Sequence, residues 1–291
     1  MNDKKFLPVL IITFLFCFNS YAQNLKAYQI FDKDGNVTTF ENLVQNSTDA
    51  DIVLFGELHN NSISHWLQLE LTMALHAYKD ENLVLGMEMF EADNQLIIDE
   101  YFAGLIAERN FRAEARLWRN YDTDIRPLVE FARENDLQLI ATNIPRRYAS
   151  LVNREGFEGL ENLSPQALSY VAPLPVAYDP ELPGYKAMLE MAHLPGHVNE
   201  NFPKAQAIKD ATMAHFILKN FESGNLFIHY HGAYHSNNYE GIVWYLNRAQ
   251  PDLQLTTIST VEQSQVETLD EQHLNLADFI IAVPATMTKT H

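Results

Sequence analysis

The stretch HYHGAYH, residues 229–235, sets three histidines into seven positions directly behind the apolar run 226–228. Toward the other end of the chain, GELH (56–59) repeats the same Gly-x-x-His spacing behind the apolar run 52–55. Two further apolar runs, 83–85 and 137–141, lead into GMEMFE (86–91) and TNIPRR (142–147). Four runs thus end in carboxylates, imidazoles, an amide and two guanidiniums. Neutral imidazole and carboxylate are ligands for Zn, Mn or Fe, and the same groups can act as general acids and bases. A glycine at a strand end lets the backbone turn or approach a ligand closely. On this reasoning Glu57, His59, Glu88 and His235 are the candidate catalytic residues, and His59, Glu88, His231 and His235 the candidate metal ligands. His229 is read as a strand histidine. Glu91 could belong to the site or cap a first helical turn.

These residues share a site only if the runs are neighbouring strands. The four runs have the unbroken apolar character of doubly buried parallel strands, and a further strand is expected over 253–258, with another over 279–283. Amphipathic helical patterns cover 64–78, 93–103, 126–135 and 205–221. Alternating strands and helices predict a three-layer α/β fold with a mainly parallel central sheet flanked by helices. Ligands of such sheets bind at the carboxyl ends of the strands. Residues 150–204, rich in proline and glycine, are expected to form a helical and loop insertion that acts as a lid within a single domain spanning 23–291. His65, His76 and His215 fall in helical patterns and read as packing or surface residues.

Residues 1–22 have the layout of a signal peptide: Lys4 and Lys5, an apolar run over 6–18, then Ser20-Tyr21-Ala22. Cleavage is expected after Ala22, leaving no further transmembrane segment and an exported protein, periplasmic or secreted. The only cysteine, Cys17, lies in that run behind bulky Phe16, which disfavours lipid attachment. The net charge of −18 argues against nucleic acid as a partner. Arg146 and Arg147 follow Pro145 at a helix start and make an anion site in an otherwise acidic chain.

FGELHNN, GMEMFEADNQ, RPLVEFARENDLQLIATNIPRRYASLV and QAIKDATMAHFI together resemble the superfamily of ChaN-like haem-binding proteins, Tiki-type proteases and erythromycin esterases, with ChaN the nearer likeness. In the last stretch Gln206, Asp210, Met213 and Ala214 carry the match. Two features depart from the pattern: family members are commonly lipoproteins, and the second motif carries Tyr234 and runs on into Ser236-Asn237-Asn238. The resemblance implies a haem carrier, with a place in haem or iron uptake and a possible association with the outer membrane. Haem iron would be held by tyrosinate or histidine, with Tyr178, Tyr185 and His193 as candidates, and the propionates by Arg146 and Arg147. The relatives equally leave open a hydrolase in which a divalent metal or the residues alone activate water. Haem or another small molecule is the expected ligand, and a homodimer is compatible with the sequence.

Overall fold

The computed structural model describes residues 25–192 and 200–291. The expected signal peptide and His193 lie outside the described residues. The chain opens with a hairpin, β1 (Gln29–Asp32) and β2 (Val37–Thr38), followed by α1 (Phe40–Thr48), β3 (Ile52–Glu57) and α2 (Ser62–Lys79). Next come β4 (Leu83–Glu91), α3 (Gln95–Phe102), α4 (Glu108–Glu114), α5 (Arg126–Glu134) and β5 (Gln138–Asn143). The proline-rich region contributes α6 (Arg146–Glu155), α7 (Pro165–Leu168) and α8 (Pro183–Ala192). The chain continues through α9 (Phe202–Asn220), β6 (Leu226–Gly232), α10 (Ile242–Ala249), β7 (Leu255–Gln263) and β8 (Phe279–Pro284).

One eight-stranded sheet runs in the order β2-β1-β8-β7-β3-β6-β4-β5. Strands β3 to β8 pair in parallel, while β1 is antiparallel to both β8 and β2. The α/β fold read from the sequence is therefore present, with an antiparallel edge hairpin that the apolar runs do not announce. Period-two alternation divides the strand side chains between two cores. Val53, Phe55, Leu85, Ile228 and Tyr230 pack beneath α1, α2 and α5, whereas Ile52, Leu54, Val84 and Phe227 pack beneath α9 and α10. At the far edge, the Gln95 amide donates to Leu139 O at 2.9 Å and accepts from Ala141 N at 2.7 Å, which covers part of β5's open ladder.

The strands extend past their apolar runs. His229, Tyr230, His231 and Gly232 are residues of β6 and all are buried, so HYHG lies within the strand rather than behind it. The sequence placed one lid over 150–204, but α6 is scaffold: its Ala149 and Val152 share a small core with Leu160, Val171, Ala205 and Ile208. Among the described residues of the region, α8 approaches the strand ends through Tyr185, whose hydroxyl bonds Asp210.

Candidate functional site

The site is built in two halves on opposite faces of the sheet, meeting at the end of β6. Parity sends Glu57, the last residue of β3, to the α2 face. Its Oε1 lies 2.8 Å from His59 Nδ1 and its Oε2 accepts from Gln68 Nε2 at 2.6 Å. α2 can present Gln68 because Asn61 caps its N-terminus, accepting from the amides of Ile63 and Ser64. Glu57 is buried, but the His59 side chain is 39% exposed, with Trp118 edge-on to its ring at 4.9 Å. Burial pushes the His59 ring down, yet the bond to Glu57 and the charge of Glu88 outweigh it and raise its pKa.

Glu88 points to the α9 face. Its Oε2 accepts from Gly232 N at 2.7 Å, and its Oε1 lies 3.2 Å from His235 Nε2. His235 Nδ1 donates to Asp210 of α9, whose second oxygen accepts from the Tyr185 hydroxyl at 2.7 Å. The Gln206 amide lies 3.0 Å from the same imidazole. Burial pushes His235 down, but the two flanking carboxylates overcome this and lift its pKa to about 10. Burial would raise Glu88 too, but His235, His59 and the Gly232 amide hold it well below the usual carboxylate range. Asp210 is raised by its own burial. His235 is thus an imidazolium held between two carboxylates.

The two glycines explain the paired motifs. A Cβ on Gly232 would meet His59 Nε2 at 2.7 Å, and one on Gly56 would meet the backbone of Ala233 at 2.7 Å. Each motif's glycine gives room to the other motif. Since β6 lies between β3 and β4, the bare Gly232 lets His59 lean across the strand end toward Glu88. Glu57, His59, Glu88 and His235 are therefore brought together at one carboxyl edge.

The remaining histidines of HYHGAYH have other partners. His229 Nε2 bonds Thr142 Oγ1 at 2.7 Å, the two Nδ1 atoms of His229 and His231 are 2.9 Å apart, and His231 Nε2 bonds Ser236 Oγ at 2.8 Å. Burial drives His229 down to about 3 and His231 well below its usual value. Two neutral rings of opposite tautomer satisfy this chain in either direction. Both nitrogens of His231 are engaged, as are both of His235. The expected metal set His59, Glu88, His231 and His235 does not fit a divalent ion in this geometry, and no group of three or more potential ligands is disposed to hold one among the described residues.

Tyr185 is buried, and its hydroxyl is committed to Asp210, which does not suit it to ligate iron. Tyr178 is half-buried between Phe157 and Tyr185, with ring centroids 5.7 and 5.6 Å apart. Arg147 pairs with Asp93 at 2.7 Å and lies over the Tyr148 ring, whereas Arg146 is exposed and has no ion pair among the described residues. A cavity of about 630 Å³ opens along β5, lined by Ile98, Phe102, Tyr170 and Phe216, and none of the site residues lines it.

Sequence reasoning passed over Asp210, Gln206, Gln68 and His65 as site residues. The signal for the first two was their i, i+4 spacing, which puts them on one helix face. His65, read as packing, is buried and bonds the His59 carbonyl through Nε2 at 3.1 Å.

A mainly parallel sheet with two carboxylate–imidazole groups at its carboxyl edge defines an α/β protein with a candidate site at its strand ends. Residues 43–246 match the model described as haem-binding uptake, Tiki superfamily, ChaN, and the chain belongs to that family. The solved structure on cofacial haem binding to ChaN of Campylobacter jejuni is similar, with a TM-score of 0.63 and 16% identity over 87% of this chain and 96% of that one. A succinoglycan biosynthesis protein gives a TM-score of 0.51 at 13% identity, covering 87% of this chain and 93% of that one. An erythromycin esterase in its open conformation gives 0.46 at 13% identity over 84% and 78% of the two chains. At these identities the likeness is one of fold. A comparison with curated proteins found no match.

Proposed function

We propose that this protein binds haem at the strand-end site and serves in haem or iron handling outside the cytoplasm, after removal of residues 1–22. The observation that carries the reading is His59. Its Nδ1 is committed to a buried carboxylate, its ring is part-exposed, and its Nε2 has no hydrogen-bond partner among the described residues. A carboxylate-backed imidazole is the donor arrangement that metal centres use to orient and strengthen a histidine ligand. His59 would hold the iron, Trp118 would lie against the macrocycle, and Arg146, which has no ion pair among the described residues, would meet a propionate. When bound, haem would supply an iron centre whose behaviour follows the residue that holds it and the polarity of the pocket. The protein's own part is to hold the His59 proton on Nδ1, against Glu57, so that Nε2 stays free. Family membership and the haem-binding Campylobacter jejuni relative support this reading. Haemin added to the apo-protein should produce a Soret band that His59→Ala loses. An unchanged spectrum at equimolar haemin would refute the reading.

A second reading, a hydrolase, draws on the same Glu57–His59 pair, since an oriented imidazole can take a proton from water. Ester or peptide hydrolysis that disappears in His59→Ala, in protein free of haem, would favour it.

A further inference from the structure

We propose that the segment Lys289–His291 is a positioning element for His59, acting through Asp124 and Asn120. This rests on the assignment of His59 as the ligand-holding residue. The His59 carbonyl accepts two bonds: from His65 Nε2 at 3.1 Å and from Asn120 Nδ2 at 2.8 Å. Asn120 Nδ2 also donates to Asp124 Oδ2 at 2.9 Å, and that oxygen accepts from Thr290 Oγ1 at 2.7 Å. Asn120 and Asp124 are buried. Asp124 lies in a π-helical turn, Tyr121–Ile125, a form concentrated at functional sites.

The segment is tied down on both sides of Thr290. Lys289 forms an antiparallel bridge to Asn61 and an ion pair with Glu262. Thr290 N donates to Asn60 O at 3.1 Å, and Asn60 Nδ2 donates to His291 O at 3.4 Å. Every one of these contacts except Glu262 falls on the loop that carries His59 or on the turn that bonds its carbonyl. A tail that was merely ordered would have no reason to converge on one loop more than 200 residues earlier in the chain. The ring of His59 is set from the α2 side by Glu57 and Gln68, and its backbone is set by this second route. Losing the second route would let the loop drift while Glu57 stays in place.

Substitutions that keep or remove single bonds test this. Thr290→Val removes the donor and Thr290→Ser keeps it. Asp124→Leu removes the acceptor, and Asp124→Asn keeps one oxygen able to accept both bonds. Thr290→Val and Asp124→Leu are expected to shift the His59 amide and ring NMR resonances. They should also weaken haemin binding by about tenfold, the lower end for outer-shell partners of a ligand. Thr290→Ser and Asp124→Asn should restore both. Thr290→Val should leave the far-UV circular dichroism spectrum unchanged, which a general loss of fold would not. Thr290 is half-buried, whereas Asp124 is buried, so the Thr290 variants are expected to fold even if Asp124→Leu does not. His59 resonances unmoved by Thr290→Val would overturn the inference. If they move but wild-type protein gives no Soret band, the haem reading falls and the positioning role stands.

Discussion

Replacing His235 by alanine isolates the energetics of the buried half of the site. Its imidazolium lies between Glu88 and Asp210, two carboxylates that are 5% and 1% exposed. The rise in the His235 pKa from 6.5 to about 10 corresponds to about 5 kcal/mol at about 1.4 kcal/mol per pH unit. Breaking a buried pair by removing one partner costs about 3–5 kcal/mol, so the two figures agree. Because the folded-state pKa is raised, the stabilisation is fully present below about pH 6.5 and is lost as pH rises toward 10. The alanine variant instead strands two carboxylates. Its deficit should shrink as pH falls and the stranded carboxylates take up protons, and shrink again above pH 10 where the wild type has lost the proton. Urea denaturation followed by circular dichroism at several pH values measures this directly. Adding Asp210→Asn should recover part of the loss, because it removes one of the stranded charges. A cost below about 1 kcal/mol, constant from pH 5 to 10 and additive with Asp210→Asn, would refute the imidazolium.

The motif glycines should separate stability from function. Gly56→Ala drives a Cβ into the Ala233 backbone and should cost about 1–3 kcal/mol. Gly232→Ala crowds the end of the part-exposed His59 side chain and makes only ordinary contact with Glu88, so thermal melts should change little while haemin affinity falls. Arg146→Ala should weaken haemin binding without altering stability, and Arg147→Ala should lower stability by less than about 1 kcal/mol, as exposed ion pairs do. Tyr185→Phe should cost about 1–2 kcal/mol through the lost bond to Asp210 and leave the Soret maximum in place; a displaced maximum would make Tyr185 an iron ligand.

Much of this architecture is legible in the sequence because buried parallel strands read as apolar runs and helices as amphipathic stripes. The β1–β2 hairpin escapes because β2 has only two residues and one is exposed. The site is legible only in part. Gly-x-x-His can be seen twice, but that Gly232 exists for His59 depends on β6 lying between β3 and β4, a fact of topology. Asp210 is hidden for another reason. α9 is buried on most of its circumference, so Asp210, although it stands in the stretch that carries the family resemblance and four residues from Gln206, reads as a core position rather than a site residue. His229 and His231 mislead in the opposite sense. They have the residue types of a metal site, yet Thr142 and Ser236 satisfy their outer nitrogens and each ring satisfies the other. A buried polar side chain must find a partner, and here its residue type says less about its task than that partner does. His59 Nε2, the ring nitrogen at this edge with no hydrogen-bond partner among the described residues, is the position where a ligand has something left to bind.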